Sequence, residues 1–218
     1  MFTYLTVSSI RERFQQLKSI EQYVTDKTGV KMLEIINANF IADEPSIFGK
    51  VNQSYVDREI AWYHSKSLNV NAIPGGPPAI WQQVSTPYGL INSNYGWCIW
   101  SQSNGDQYNN VVKELTKNHD SRRAVMIYTR PSMWTDYNKD GMSDFMCTNA
   151  VQYVIRNDKL NAIVQMRSND VVFGYKNDYF WQSHVLDMLC KELKVERGLI
   201  YWNAGSLHVY ERHFELII

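Results

Sequence analysis

The sequence has no excess of charge of either sign. Its 218 residues include 22 lysines and arginines and 22 aspartates and glutamates, so the formal net charge is zero. General nucleic-acid binding is normally accompanied by a basic excess, and the balance of charges argues against it. It leaves open a small anionic ligand held by a local cluster of arginines.

Cysteine is also scarce. The three cysteines, Cys98, Cys147 and Cys190, are odd in number and widely spaced, which predicts neither a disulfide framework nor a CxxC metal site. The stretch MFTYLTVSSIRERF lacks the apolar core of a signal peptide. No apolar run approaches the roughly 20 residues that a membrane span needs. We therefore expect a protein of the reducing cytoplasm that binds no metal and no membrane.

Repeats, low-complexity tracts and linker-like stretches are absent too, and helical and strand patterns follow one another along the chain. The buried face of a first helix, capped by Ser9 and Glu12, is predicted to comprise Ile10, Phe14, Leu17 and Tyr23. A hairpin turn is predicted at Asn157-Asp158, and a long buried helix over DYFWQSHVLDMLCKELK. Residues 1–218 are therefore expected to form one α+β domain, with a large mixed or antiparallel sheet flanked by helices.

Four short segments contain residue types suited to nucleotide chemistry: cationic side chains for a phosphate, a thiol, and polar groups for sugar and base. They are DSRRAV with Arg122 and Arg123, DFMCTNAVQY with Cys147, QMRSNDVVFGYKND with Arg167, Ser168, Asp170 and Asp178, and GSLHVYERH with His208 and Tyr210. In this order and spacing the segments resemble the thymidylate synthase family, and within it the bacteriophage deoxycytidylate (dCMP) hydroxymethylases. The resemblance extends from about Asp26 to His213 and is strongest from Ser121 onward. It implies a thymidylate synthase-like fold and 5,10-methylenetetrahydrofolate as co-substrate.

Cys147 is the candidate nucleophile. A pyrimidine C5 attacks poorly by itself, but a thiolate that adds to C6 converts the ring into an enolate or enamine whose C5 can attack a one-carbon donor. Cys147 stands among polar residues at the start of a predicted strand, whereas Cys98 and Cys190 stand in apolar surroundings typical of core thiols. A thiolate at neutral pH needs a nearby positive charge, for which Arg167 is the candidate.

A phosphate site is implied by the same resemblance. It would consist of Arg167, Ser168, Lys27, and Arg122 and Arg123 contributed by a second subunit. Lys27 stands where family members often have arginine, so that a bidentate contact would become a point charge. A lone basic dipeptide is more often a solvated surface pair. If both arginines do reach across, the working protein is a homodimer.

Further roles are implied by the resemblance alone. His208 and Tyr210, which alternate onto the same face of a strand, would hold the sugar 3′-hydroxyl, and Glu59 would organise water and move protons near the base. The resemblance assigns folate contacts or proton relay to Trp81, Tyr95, Asp170 and Gly174. Taken without the resemblance, His-x-Tyr is more often a structural pair, and a helical glutamate such as Glu59 is more often exposed.

Asp178 is predicted to choose the base and to help activate it. Thymidylate synthases carry asparagine at this place, and an amide matches the N3–H donor and the O4 acceptor of uracil. Cytosine has an acceptor at N3 and an amino donor at N4; a carboxylate accepts from the amino group and can share one proton with N3. Pairing the wrong base with a buried hydrogen-bonding side chain costs enough free energy to give roughly a thousandfold or greater preference for the matching base. Asn177 is adjacent, and a shift of one residue would reverse this interpretation.

Two kinds of product are possible from the transferred carbon. Water would give 5-hydroxymethyl-dCMP, whereas hydride would give a methylated base, as in a thymidylate synthase or a dCMP methylase. Departures from the thymidylate synthase pattern at Thr148, Met166 and Lys176 favour the hydroxymethylating branch. A non-catalytic nucleotide- or RNA-binding relative is the alternative of another class, against which the complete set of polar residues argues. The resemblance thus implies a deoxycytidylate 5-hydroxymethyltransferase, acting in the host cytoplasm if it is phage-encoded.

Overall fold

The computed structural model describes residues 4–218, which fall into two compact units. Unit 1 comprises the described residues up to 51 together with 154–218, and unit 2 comprises 52–153. The chain therefore leaves unit 1 once and returns to it once. A single domain over the whole chain stays a prediction.

The described part of the chain contains seven α-helices and six strands. The helices are α1 (Val7–Ser19), α2 (Gln53–Ser65), α3 (Ala79–Val84), α4 (Tyr95–Trp100), α5 (Gln107–Lys117), α6 (Met133–Asp136) and α7 (Gly174–Leu193). The strands are β1 (Val24–Thr25), β2 (Lys31–Ile41), β3 (Val125–Ile127), β4 (Thr148–Arg156), β5 (Lys159–Asp170) and β6 (Glu196–Tyr210). Short 3₁₀ helices lie at Val70–Ala72, Gln102–Asn104, Lys139–Gly141 and Glu211–Leu216. No helix within residues 4–218 is both long enough and apolar enough to cross a membrane.

The strands form a mixed sheet in the order β1-β2-β6-β5-β4-β3. β5 and β6 run parallel, whereas the pairs β1–β2, β2–β6 and β3–β4 are antiparallel. β4 and β5 are joined by Asn157 and Asp158, whose φ angles of 52° and 58° are those that a two-residue type I′ hairpin turn requires. The α+β class, the mixed sheet and the hairpin predicted from the sequence are therefore confirmed.

The core of unit 1 lies on one face of β5 and β6. Alternate side chains of these strands are buried, namely Leu160, Ala162, Val164, Met166, Ile200, Trp202 and Ala204, as the period of two along a strand predicts. Helix α7 packs against both strands, and α1 packs against β2 through Ile10, Phe14 and Leu17. The intervening side chains of the same strands are only partly covered, with Ile163, Tyr201 and Asn203 half-buried and Gln165 exposed.

The core of unit 2 is formed by helices and is rich in aromatic rings. Helix α4 packs against α2 and α5, and α5 packs against β3. Trp62 and Tyr63 of α2 are buried, with ring centroids 5.2 Å apart. A buried aromatic side chain contributes the largest apolar area of any residue type, so these rings fix how α2 lies in the unit.

Two predicted helix boundaries were wrong. α1 ends at Ser19, so Tyr23 lies outside it and instead stacks on Phe214 with centroids 5.5 Å apart. The cap of α1 is Thr6, whose backbone N–H donates to Ser9 Oγ at 3.3 Å, and not the predicted pair of Ser9 and Glu12. α7 begins at Gly174, before the predicted segment, for a reason that lies in the candidate site.

Candidate active site

The turn between β5 and α7 is organised by Asp170. Its Oδ1 accepts the backbone N–H groups of Val172, Phe173 and Gly174 at 2.9, 2.6 and 3.4 Å. A carboxylate at the start of a helix satisfies N–H groups that have no partner within the helix and interacts favourably with its positive end. Asp170 therefore sets where α7 begins, and with it the position of every residue on the first turns.

Asp178 lies on the second turn of α7 and is half-buried. Asn169, the residue before Asp170, donates from Nδ2 to Asp178 Oδ2 at 2.8 Å. Gly174 leaves room for this contact, because a Cβ at position 174 would lie 3.1 Å from Asn169 Nδ2 and 3.9 Å from Asp178 Oδ2. The structure thus brings together three predicted residues, Asp170, Gly174 and Asp178, around an asparagine that the sequence did not single out.

The cationic residues of unit 1 are accessible to solvent. Arg167 is exposed on β5 and Ser168, its neighbour, is half-buried. Lys27 is exposed in the turn between β1 and β2, where Asp26 Oδ1 accepts the backbone N–H groups of Thr28 and Val30 at 2.8 and 3.0 Å. Both cations are thus placed where an anion from solution can reach them.

His208 and Tyr210 meet on β6, with their rings edge to face and 5.1 Å between centroids. His208 is buried, and its Nδ1 lies 3.3 Å from Ser206 Oγ, whose hydroxyl donates to Glu34 Oε1. Because that hydroxyl proton is committed to Glu34, the hydrogen-bond network assigns the proton between Ser206 and His208 to Nδ1, which leaves Nε2 as an acceptor. Burial lowers the pKa of His208, against opposing contributions from Asp170 and Glu34, and so favours the neutral ring.

Glu59 is buried on α2, with 5% of its surface exposed, although a helical glutamate considered alone is predicted to be exposed. Its Oε1 accepts from the Tyr55 hydroxyl at 2.6 Å and from Trp81 Nε1 at 3.2 Å. Tyr55 and Glu59 can meet because residues four apart share one face of a helix. Burial raises the pKa of Glu59, and the two hydrogen bonds act in the opposite direction. A carboxylate whose pKa is raised accepts a proton more readily than an ordinary glutamate does.

The two aromatic residues predicted to contact folate differ in their surroundings. Trp81, on α3, is half-buried; it lies edge-on to Trp62 with centroids 5.4 Å apart and bonds to Glu59 through Nε1. Tyr95 is buried at the start of α4, stacked on Tyr63 at 5.3 Å and edge to face with Tyr128 at 5.3 Å. The ring of Tyr95 is thus part of the core of unit 2, whereas the indole of Trp81 is partly accessible.

Cys147 directly precedes β4 and is half-buried. Its Sγ lies 4.0 Å from the carbonyl oxygen of Phe145. Cys98 and Cys190 are buried, and burial raises the pKa values of their thiols to about 12 and about 11. Among the three cysteines, Cys147 is therefore the one whose surroundings allow a nucleophile.

The segment that leads to Cys147 is anchored by Asp144, which is buried. One carboxylate oxygen accepts the backbone N–H groups of Asn92 and Ser93 at 2.7 and 2.8 Å, and the other accepts the Ser93 hydroxyl at 2.7 Å. Hydrogen bonds to an ionised group are among the stronger ones in proteins. These hydrogen bonds hold the backbone in place just before Cys147.

Arg122 and Arg123 precede β3 and are both exposed. Arg123 forms an ion pair with Glu114 of α5, with Nη2 at 3.0 Å from Oε1, while 78% of its side chain remains exposed. Exposed ion pairs of this kind contribute little to stability. Within one subunit the two arginines thus lie in solvent at the surface, and the ion pair of Arg123 with Glu114 does little to hold its guanidinium group in place.

Four supporting residues escaped the sequence analysis. Tyr55 could have been found, because its spacing from Glu59 is that of neighbours on a helix face. Asn169 carries no such signal, because it is the one buried polar residue of β5 but lies out of phase with the alternating buried positions from Leu160 to Met166. Glu34 and Ser206 carry none, because their contact depends on the pairing of β2 with β6.

The chain is similar to known proteins over most of its length. Residues 17–218 match the family model described as Thymidylate synthase. The chain is 58% identical over 220 residues to the deoxycytidylate 5-hydroxymethyltransferase of Enterobacteria phage T4, which covers 98% of this chain and 89% of that protein. The thymidylate synthase of Buchnera aphidicola subsp. Schizaphis graminum is 26% identical over 201 residues, covering 88% and 74%.

A solved structure confirms the predicted fold. Thermostable thymidylate synthase A from Bacillus subtilis superimposes with a TM-score of 0.71 at 24% identity, covering 94% of this chain and 81% of that one. The family model extends over nearly all of the chain and the phage relative over almost its whole length; the protein therefore belongs to the thymidylate synthase family.

Proposed function

We propose that this protein transfers a one-carbon unit from 5,10-methylenetetrahydrofolate to C5 of dCMP and adds water, giving 5-hydroxymethyl-dCMP. The proposal rests chiefly on 58% identity, over 98% of the chain, to a phage T4 protein named deoxycytidylate 5-hydroxymethyltransferase. An acidic residue at position 178, where the resemblance predicts base recognition, agrees with a cytosine substrate. A phage enzyme of this kind would act in the cytoplasm of the host.

In the proposed reaction, the Cys147 thiolate forms a bond to C6 of the base, and the C5–C6 π electrons move through the ring to N3, which takes the proton shared with Asp178. C5 then bonds to the methylene carbon that bridges two nitrogens of the folate; one of the two C–N bonds breaks, its electrons stay with the nitrogen, and that nitrogen takes up a proton. Loss of the C5 proton to solvent and departure of the second folate nitrogen with its bonding electrons leave a methylene group on C5. Water adds to that carbon and gives up a proton to Glu59, and expulsion of the thiolate from C6, with return of the N3 proton to Asp178, restores the aromatic ring.

The remaining predicted residues would bind the substrates. We assign the phosphate to Arg167, Ser168 and Lys27, joined by two arginines of a second subunit. His208 and Tyr210 would hold the 3′-hydroxyl, and the neutral His208 ring with an acceptor at Nε2 suits a hydroxyl donor. The folate would contact Trp81, Tyr95, Asp170 and Gly174, with Trp81 supported by its partly accessible indole and its bond to Glu59.

A homodimer is part of the proposal. The partly covered side of β5 and β6 carries Ile163 and Tyr201 beside polar Gln165 and Asn203, a composition suited to an interface core that a second copy could cover. A two-fold axis would bring the same surface of each subunit against the other. The exposure of Arg122 and Arg123 agrees with guanidinium groups that act outside their own subunit.

Mixing two inactive variants would test the contribution of the partner. In a dimer of Cys147→Ser with the double variant Arg122→Ala/Arg123→Ala, one site would contain both an intact cysteine and arginines supplied by the other subunit. After random reassociation we expect about a quarter of the wild-type activity, since half of the dimers are mixed and each has one complete site. A mixture that stays as inactive as its parents would show that the arginines serve their own subunit.

The product decides the proposed function. The purified protein is incubated with dCMP or dUMP and the folate donor, and the nucleotide product is weighed by mass spectrometry. We expect turnover of dCMP with a mass gain of CH₂O. Exclusive turnover of dUMP would overturn the choice of base, and a gain of CH₂ on cytosine would overturn the addition of water.

A further inference from the structure

We infer that Asn169 is a positioning residue that dictates which atom of the side chain at position 178 is presented to the base. The inference deepens the proposed function, since it rests on the reading of the pyrimidine by Asp178. It concerns a residue that touches Asp178 and needs no contact of its own with the nucleotide.

Asn169 is held in one place. It is 3% exposed at the end of β5, and Gly174 packs so closely that even a methyl group there would lie 3.1 Å from Nδ2. Its Nδ2 donates to Asp178 Oδ2 at 2.8 Å, while its Oδ1 is buried and has no hydrogen-bond partner among the described residues. With the amide reversed, two oxygens would face each other, so the donor orientation is the one that an ionised Asp178 stabilises.

A fixed donor at Asn169 requires an acceptor on the facing atom of residue 178. Aspartate meets this requirement and still has oxygen on its other side, which suits the amino group of cytosine. An asparagine at 178 would have to turn its carbonyl oxygen toward Asn169. Its amide NH₂ would then point the other way, where it suits the O4 of uracil and repels the amino group of cytosine. Asn169 thereby prevents an amide at position 178 from turning over to hydrogen-bond with either base.

The inference predicts that a reciprocal exchange restores the original preference. In Asp178→Asn the amide is oriented by Asn169 and should favour uracil. In the double variant Asn169→Asp/Asp178→Asn, the carboxylate at 169 accepts from the new amide, which must turn its NH₂ inward and its oxygen toward the base. An outward oxygen again suits cytosine. The double variant contains the same two side-chain types as the wild type in exchanged positions, so its total charge is unchanged.

The experiment compares kcat/KM for dCMP and dUMP in the wild type and both variants. We expect Asp178→Asn to lower the dCMP/dUMP ratio by at least about a hundredfold, and the double variant to raise it again at least about tenfold above that of the single variant. Asn177→Asp is the matched control, since it makes an amide-to-acid change on the adjacent residue of α7; its ratio should equal that of the wild type. A double variant with the ratio of Asp178→Asn would overturn the inference.

A second pair covers the case in which the exchanged carboxylate prevents folding, as monitored by thermal unfolding. Leucine has the branched shape of asparagine, although it is larger, and cannot donate, so in Asn169→Leu/Asp178→Asn the amide at 178 is free to follow the ligand. Its dCMP/dUMP ratio should move from the uracil-favouring value toward one, and an unchanged ratio would count against Asn169. If the wild type itself does not convert dCMP, the proposed function fails, and the two failures are thereby distinguished.

Discussion

Replacing Cys147 by serine is expected to lower the turnover of dCMP by at least about a thousandfold, because a serine hydroxyl is not ionised to any useful extent at neutral pH and is a poor leaving group from C6. Binding of dCMP should change little, since the phosphate, sugar and base contacts are assigned to other side chains. Steady-state kinetics measure the first quantity and titration calorimetry with dCMP measures the second.

Cys190→Ala is the matched control for this substitution. Cys190 is buried on α7, with its Sγ 3.8 Å from the Glu196 carbonyl oxygen and its thiol pKa raised by burial to about 11. We expect the control to keep its activity and to lose only some thermal stability through the cavity left by the sulfur. Full turnover by Cys147→Ser would show that the nucleophile is a different group.

Replacing Glu59 by glutamine is expected to lower formation of hydroxymethylated product by about a hundredfold to ten-thousandfold, the range that general base catalysis usually supplies. A glutamine oxygen can still accept from Tyr55 and Trp81, so the local geometry is kept while the ability to take a proton is lost. Product formation is followed by mass spectrometry, and dCMP binding by calorimetry. Asp57→Asn, an acid-to-amide change at an exposed position of the same helix, should leave the rate unaltered; equal losses in both variants would mean that Glu59 has no chemical role.

The pH dependence adds an independent check on Glu59. Burial raises the pKa of this carboxyl, and the Tyr55 hydrogen bond lowers it. Tyr55→Phe removes the opposing hydrogen bond, so the pKa should rise further. Because catalysis needs the ionised form, activity falls as the pH falls through this pKa, and the acidic limb of the kcat profile should move to higher pH in the variant. A limb that stays in place or moves to lower pH would identify another group as the one that titrates.

The sequence predicted the elements of the fold better than their ends. Alternating burial along β5 and β6 and the Asn157-Asp158 turn are local patterns, and both appear as expected. The start of α7 was predicted too late, because a side chain outside the helix, Asp170, accepts the N–H groups of the preceding turn and of Gly174, the first helical residue. A composition-based pattern cannot register a cap made by a residue at the end of the preceding strand.

The candidate site shows the same division. Cys147, Asp178 and His208 could be singled out because motif order is a property of the chain. The burial of Glu59 could not, since it depends on contact with Trp81, which is remote in sequence and brought close only by the packing of α3 on α2. The proton arrangement of His208 likewise depends on Glu34 across the pairing of β2 with β6.

The cap at Asp170 affects how base preference can change as the protein evolves. With the first turn of α7 tied to that carboxylate, one residue inserted or deleted between positions 170 and 178 would swing the reading side chain about 100° around the helix axis. Point substitution therefore offers a route to another pyrimidine, whereas length variation in this short span should be rare among active relatives.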